Sequence, residues 1–226
     1  MAKTISIAID GPAGAGKSTI AKRLAKDLGY YYVDTGAIYR TVAYFMDLLG
    51  ISPKDTDNVS RYIDELTIEI EYDEDGTQHM IMNGLDVSDD IRTPDISQKA
   101  SLISAQSVVR DMLLDMQRDV AKKHNVIMDG RDIGTVVLPR ATVKIFLTAS
   151  CEVRAQRRHL ELQQKGSKDS FAKVLADIQQ RDHQDSTRAI APLKQAKDAI
   201  LVDTSELDVE GAVAAIYKIV TEKVGK

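Results

Sequence analysis

A single cysteine, Cys151, is all that the 226 residues carry, so no intrachain disulfide can form and a reducing compartment is the natural setting. Cys151 is also a poor nucleophile. It opens the helix-like segment CEVRAQRRHLELQQ, where a helix N-terminus lowers a thiol pKa, but nothing adjacent resembles a base with an orienting partner. No apolar run approaches the roughly 20 residues that span a bilayer, and the N-terminal MAKTISIAID lacks the long apolar core of a secretion signal. A cytoplasmic protein without membrane partners is the expectation. No Pro/Gly/Ser-rich stretch, low-complexity tract or internal repeat marks a linker or disordered arm. Basic excess is absent as well: 30 Lys and Arg against 34 Asp and Glu, a net charge of -4, argue against a sequence-independent nucleic-acid binder. No heptad or self-complementary strand argues for more than a monomer.

What is present is an alternation. Short apolar runs at 5–9 (ISIAI), 30–33 (YYYV), 126–128 (VIM), 143–147 (VKIFL) and 199–202 (AILV) are separated by helix-period segments, the signature of a mostly parallel sheet covered by helices on both faces. In such α/β sheets the ligand crevice forms at the strand ends. One region breaks the pattern: residues 67–84 alternate Ile68, Ile70, Tyr72 with Thr67, Glu69, Glu71, turn at Asp75-Gly76 and return through Met80 and Met82. That predicts a β-hairpin with one buried face, inside an inserted region from about 55 to 105 flanked by helical DNVSRYIDEL and TPDISQKASLISA. The polar loop QKGSKDS at 164–170 joins two helical segments and is a candidate lid.

Gly11-Pro12-Ala13-Gly14-Ala15-Gly16-Lys17-Ser18 matches G-x-x-x-x-G-K-[ST] at every fixed position. Its glycines let backbone N–H groups turn inward around phosphate, the following helix adds its positive dipole end, Lys17 reaches the β and γ phosphates, and Ser18 can ligate Mg2+. These residues with Thr19 are expected to bind ATP. Asp129 closes VIMDG and either sits across from Ser18 near the metal or forms the turn before Gly130; Asp10 is read as structural. No Asn-Lys-x-Asp motif marks a GTPase, and no Asp-Glu pair follows an apolar core strand as in ATP-driven motors. A small kinase is the leading class.

Transfer to an alcohol is helped by a base, for which Asp34 is the candidate. Transfer to a nucleoside monophosphate needs none but needs positive charge to hold two anions together, best supplied by arginine forks. Arg40 follows the second strand and Arg131 the third. Arg181, Asp185 and Arg188 fall at i, i+4 and i+7, on one face if helical, as phosphate-binding groups or as a surface ion-pair ladder. Arg154, Arg157 and Arg158 cluster before the lid, either closing on ATP, with Arg157 the candidate, or solvated.

Taken together, GPAGAGKST, DTGAIYR, IRT at 91–93, DGRDIGT at 129–135, VKIFLTA and RD..D..RAIAPL at 181–193 resemble the bacterial cytidylate kinases across essentially the whole chain. The resemblance implies the P-loop NMP-kinase fold: a five-stranded parallel sheet covered by helices, an inserted antiparallel-sheet NMP-binding subdomain and a short lid. The core would occupy about 1–54, 106–155 and 186–226, the insertion 55–105 and the lid 156–185. It further implies Mg2+-dependent transfer from ATP to CMP and dCMP, with UMP handled poorly. Lys17, Asp129, Arg131 and Arg188 would be the catalytic set. Arg40, Arg131 and Arg188 would grip the CMP phosphate, and Arg181 and Asp185 would address phosphate and sugar. Ser101, Arg110 and Asp132 would read cytosine, with Thr35 nearby. A carboxylate at Asp132 would accept from the cytosine N4 amino group, which uracil lacks; on the residues alone, Asp132 equally caps a turn. Arg92 of IRT falls in the insertion without an assigned role.

Overall fold

The five apolar runs become five strands, and the hairpin region folds apart from them in a second sheet. The computed structural model describes residues 4–225. From the N-terminus, β1 (Ser6–Asp10) leads through the glycine-rich turn to α1 (Lys17–Leu28), then β2 (Tyr31–Asp34) and α2 (Thr35–Leu48). Next come α3 (Thr56–Tyr62), the strands β3 (Ile68–Tyr72), β4 (Gln78–Met82) and β5 (Leu85–Asp86), and the helices α4 (Pro94–Ile103) and α5 (Ser107–Lys123). The chain then forms β6 (Val126–Gly130), β7 (Val143–Thr148), α6 (Cys151–Gln164), α7 (Phe171–Thr187), β8 (Ile200–Asp203) and α8 (Val209–Val224). Residues 1–3 and 226 of the expected core lie outside the described residues.

The main sheet has the order β2-β6-β1-β7-β8, every pair parallel. β1 and β6 are buried on both faces, which is why they read as unbroken apolar runs rather than alternating ones. One face packs on α2 and α5 through Ala8, Val33, Ile38, Val42, Leu113 and Met128. The other packs on α1 and α8 through Ile7, Ile9, Leu24, Ile145 and Ile216. Parallel register aligns the carboxyl ends, setting Asp10 beside Gly130 and Asp34 beside Asp129. Acidic residues thus gather at one edge of the sheet, where the ligand crevice is expected.

The small sheet runs β3-β4-β5, antiparallel throughout. Its first hairpin turns where expected, with Gly76 at φ 76°. The third strand, β5, was not foreseen: Leu85 and Asp86 are both exposed, so no alternation betrays them. Their signal is the Asn83-Gly84 turn, with φ of 48° and 82°, the positive pair that a tight hairpin demands. The inserted region does not build a core of its own. Val59, Ile63, Met80, Ile91, Ile96 and Ile103 join the same apolar cluster as α2 and β6. α6 and α7 pack on each other through a small satellite of Ala155, Val174 and Ile178.

Residues 133–137 form a wide π turn. Asp10 accounts for it: its carboxylate accepts the N–H groups of Ile133 (2.8 Å) and Gly134 (2.7 Å), and burial pushes that carboxyl up to about 6. Such turns recur at functional sites, and this one follows directly on Arg131 and Asp132.

Candidate active site

The loop between β1 and α1 is shaped by steric necessity. A Cβ on Gly11 would lie 1.9 Å from the Leu147 carbonyl oxygen, so only glycine allows β1 to turn there beside β7. Lys17, the first residue of α1, is buried and donates from Nζ to the Pro12 carbonyl at 2.7 Å. Burial, with Arg131 close by, pushes its ammonium down to about 7. Ser18 Oγ donates to Asp129 Oδ2 at 2.9 Å, and Tyr32 donates to Asp129 Oδ1 at 2.8 Å. Burial and the neighbouring Asp34 push the Asp129 carboxyl up to about 6. Of the two readings of Asp129, the structure brings it to Ser18. Thr19 lies exposed on the first turn of α1.

A group of arginines faces this loop. Arg131, one residue past β6, donates from Nε to Asp185 Oδ2 at 2.7 Å. Ser101 Oγ donates to the other oxygen of Asp185 at 3.1 Å. Arg40, on the second turn of α2, donates from Nη2 to Asp34 Oδ2 at 2.9 Å. Arg181, on α7, feels Arg131 and Arg40 as like charges, and burial and then Arg131 push its guanidinium down to about 10. The Nε atoms of Arg40 and Arg181 are buried and have no hydrogen-bond acceptor among the described residues. A buried charged donor without a partner is costly.

Further along, Arg110 on α5 pairs with Asp132 and donates from Nη1 to the Ser104 carbonyl at 3.1 Å. Its guanidinium lies over the Tyr39 ring, 5.6 Å from the centroid. Arg188 donates to Ser104 Oγ at 2.8 Å and to the Ala191 carbonyl at 2.8 Å, with Asp132 3.5 Å away. Burial holds the Asp132 carboxyl above its ordinary value although Arg110 and Arg188 pull it down. The Thr35 hydroxyl donates to the Asp129 carbonyl at 2.7 Å.

One expectation needs correction. Arg188 does not continue the helical face of Arg181 and Asp185: α7 ends at Thr187 and Arg188 has ψ of 141°. The chain turns there, Leu193 N–H bonding back to the Asp185 carbonyl at 2.7 Å, and that turn, not a helical repeat, delivers Arg188 to Asp132. Arg157 is placed on the turn after β8, donating to Thr204 Oγ1 (3.1 Å), Thr204 O (2.6 Å) and Leu207 O (3.2 Å). Within that trio, buried Arg154 is the one at the phosphate loop, bonding the Ala13 carbonyl at 3.0 Å while paired to Asp182 at 2.6 Å. Arg158 pairs with Glu161 at 2.7 Å, and its charge reaches Arg181.

Asp34 was weighed as a base. Both its oxygens are engaged: Oδ1 accepts the Ala37 N–H at 2.9 Å, capping α2, and Oδ2 takes Arg40. Burial pushes its carboxyl up, but Arg40 and the Ala37 amide outweigh that and hold it below the ordinary range. A depressed, fully occupied carboxylate is a poor proton acceptor.

The cleft thus presents Lys17, Arg40, Arg110, Arg131, Arg181 and Arg188 against Asp34, Asp129, Asp132 and Asp185, a cationic surplus in a buried setting. Among the described residues no three His, Cys, Asp or Glu cluster to hold a metal on their own. Ser18 and Asp129 are hard oxygen donors of the kind Mg2+ takes when substrate phosphates complete its shell. No helix among the described residues is long and apolar enough to cross a membrane.

A family model described as cytidylate kinase matches residues 7–222. A cytidylate kinase of Exiguobacterium sp. (strain AT1b) is 47% identical over 222 residues, spanning 98% of this chain and 99% of that protein. One from Bacillus cytotoxicus is 46% identical over the full length of both. A solved structure of an uncharacterised protein from Eubacterium ventriosum shares the fold, with a TM-score of 0.53 at 15% identity over 97% of this chain and 99% of that one.

Proposed function

The chain belongs to the cytidylate kinase family, and on that premise we propose how its cleft transfers the terminal phosphoryl group of ATP to CMP and dCMP. The observation that carries the reading is the pair of buried guanidinium Nε–H donors, on Arg40 and Arg181, that find no acceptor among the described residues. They suit an acceptor that is itself a phosphate, because a neutral hydroxyl brings no negative charge to balance the two guanidiniums. Asp34, spent on Arg40 and α2, disfavours the alternative of an alcohol kinase with that residue as base.

In this reading residues 11–18, through their backbone N–H groups except at Pro12, which shapes the turn, together with the Lys17 side chain and Thr19, hold the ATP phosphates. Arg157, on α6, is the further ATP-binding residue of this reading. Ser18 and Asp129 would hold Mg2+, which supplies charge neutralisation on the transferring phosphates. Arg40, Arg131, Arg181 and Arg188 grip the acceptor phosphate and keep its oxygen in line, with Asp185 orienting Arg131 and facing the sugar. Ser101, Arg110 and Asp132 read cytosine, Asp132 accepting from N4 and Arg110 donating to the ring acceptors, with Thr35 close to the base. A monophosphate oxygen is already largely anionic at neutral pH, so the residues need move no proton; catalysis is positioning and electrostatic stabilisation. Residues 55–105 form the acceptor-binding insertion and 156–185 the lid. All site residues come from one chain, so a monomer suffices, working in the cytoplasm where ATP and CMP are found.

The test is ADP release with ATP and Mg2+ against a panel of CMP, dCMP, UMP, AMP and shikimate. Turnover strongest with CMP and dCMP is expected; turnover strongest with shikimate, or with none, would refute the reading.

A further inference from the structure

The transfer mechanism leaves Gln78 unused, although it is only 5% exposed and sits where the two sheets meet. Gln78 opens β4. Its carboxamide oxygen accepts the Asp34 N–H at 2.7 Å, and its Nε2 faces the Asp34 carbonyl at 3.4 Å and Met80 Sδ at 3.0 Å. β2 lies at the edge of the main sheet, paired to β6 alone, and an open edge leaves main-chain groups unpaired. Gln78 serves that edge as the peptide group of a further strand would, accepting from and donating to one residue. Tyr72 covers the same edge two residues back, its hydroxyl donating to the Tyr32 carbonyl at 2.9 Å. Two side chains therefore fasten the small sheet to β2, and only one of them touches Asp34.

Asp34 is no ordinary strand end. It caps α2 with one carboxylate oxygen and holds Arg40 with the other. A shift of its main chain would therefore carry Arg40 with it, and Arg40 is the residue whose buried Nε awaits an acceptor. We infer that Gln78 is a positioning residue: by holding the Asp34 main chain it sets the Arg40 guanidinium for the acceptor phosphate, so that docking of the inserted sheet is felt at the acceptor subsite. The inference rests on the reading that Arg40 grips that phosphate.

A merely structural bond would lower stability without distinguishing the substrates. The experiment is steady-state kinetics, with ATP and CMP varied separately, on Gln78→Met, Tyr72→Phe, Arg40→Lys and the Gln78→Met/Arg40→Lys double variant, each with a thermal melt. Methionine keeps the length and apolar stem of Gln78 but neither hydrogen bond to Asp34. Gln78→Met is expected to raise KM for CMP about tenfold, a small displacement of a clamp being enough for that, and to leave KM for ATP within about twofold. Tyr72→Phe removes a bond between the same two sheets and is expected to leave both KM values within about twofold. In the double variant KM for CMP should match that of Arg40→Lys, because the clamp has lost its object.

Should Gln78→Met fail to fold, Gln78→Leu is read in its place: it is likewise uncharged, fills most of the same space and lacks both hydrogen bonds to Asp34. KM for CMP is again expected to rise and KM for ATP to hold. The inference is overturned if both KM values rise together, if Tyr72→Phe matches Gln78→Met, or if the Gln78 and Arg40 effects multiply. If Arg40→Lys itself leaves KM for CMP unchanged, the assignment of Arg40 to the acceptor phosphate falls first and the inference with it.

Discussion

Lys17→Met is expected to lower kcat at saturating ATP and CMP by about 10²- to 10³-fold while the protein remains folded. The magnitude is that of removing one preorganised donor from developing charge in a water-poor site. Folding should survive because the ammonium is a liability to the free protein: burial and Arg131 already disfavour its charge, holding it at about 7, and its bond to the Pro12 carbonyl is a resting arrangement. The same values give a second readout. At pH 8 the free Lys17 is mostly neutral, and the phosphates of ATP favour its charged form, so binding takes up a proton. Asp129, with its carboxyl at about 6, is shared by the native chain and the variant, so the difference between them reads Lys17. Calorimetric titration of ATP, without metal, in buffers of different ionisation heat should show a larger proton uptake for the native chain than for Lys17→Met. A kcat within about threefold of native would remove Lys17 from the transfer step.

The second large effect is on selectivity. Asp132→Asn should shrink the preference for CMP over UMP, measured as the ratio of kcat/KM values, by about 10- to 100-fold, the worth of one buried charge-assisted contact at 1–3 kcal/mol. Asparagine is isosteric and presents both a donor and an acceptor, so it can meet the O4 of uracil as well as the N4 of cytosine. The local frame should persist, because Arg110 keeps its bond to the Ser104 carbonyl and Arg188 its bonds to Ser104 and Ala191. Removing its charge leaves the buried Arg110 without its ion-pair partner, so the melting temperature is expected to fall, and the selectivity ratio is read below the transition. An unchanged ratio would exclude Asp132 from base reading.

How much of this could be read in the chain depends on what each residue answers to. Gly11 through Ser18 were legible because every fixed position has its own steric or electrostatic reason, and Gly11 cannot be anything else beside Leu147. The strand ends that carry Arg40, Asp129 and Arg131 were legible because buried parallel strands read as apolar runs. The proposed base-reading group was visible only through family resemblance: Ser101 and Arg110 come from α4 and α5, Asp132 from the residue just before the π turn that Asp10 imposes, and no local pattern links them. The helical spacing of Arg181, Asp185 and Arg188 misleads, since a turn beyond α7, not a helical face, delivers Arg188 to Asp132. The scaffolding went unread for the same cause. Arg154 bracing the phosphate loop and Gln78 holding Asp34 span 141 and 44 positions of chain, and a buried glutamine at the head of a strand has no sequence signature. The strand β5 did have one, the Asn83-Gly84 turn, but two residues are too few for alternation.

The central claim is that the buried cations of Arg40 and Arg181 are arranged for the phosphate of the acceptor, and the most direct measurement is calorimetric binding of CMP and of cytidine to the native protein. Two orphaned donors, each gaining a charge-assisted bond worth about 1.5–3 kcal/mol, predict that CMP binds at least about 10²-fold more tightly than cytidine. Affinities within about tenfold of each other would contradict the account, because the guanidinium donors would then have no use for the group they are proposed to hold.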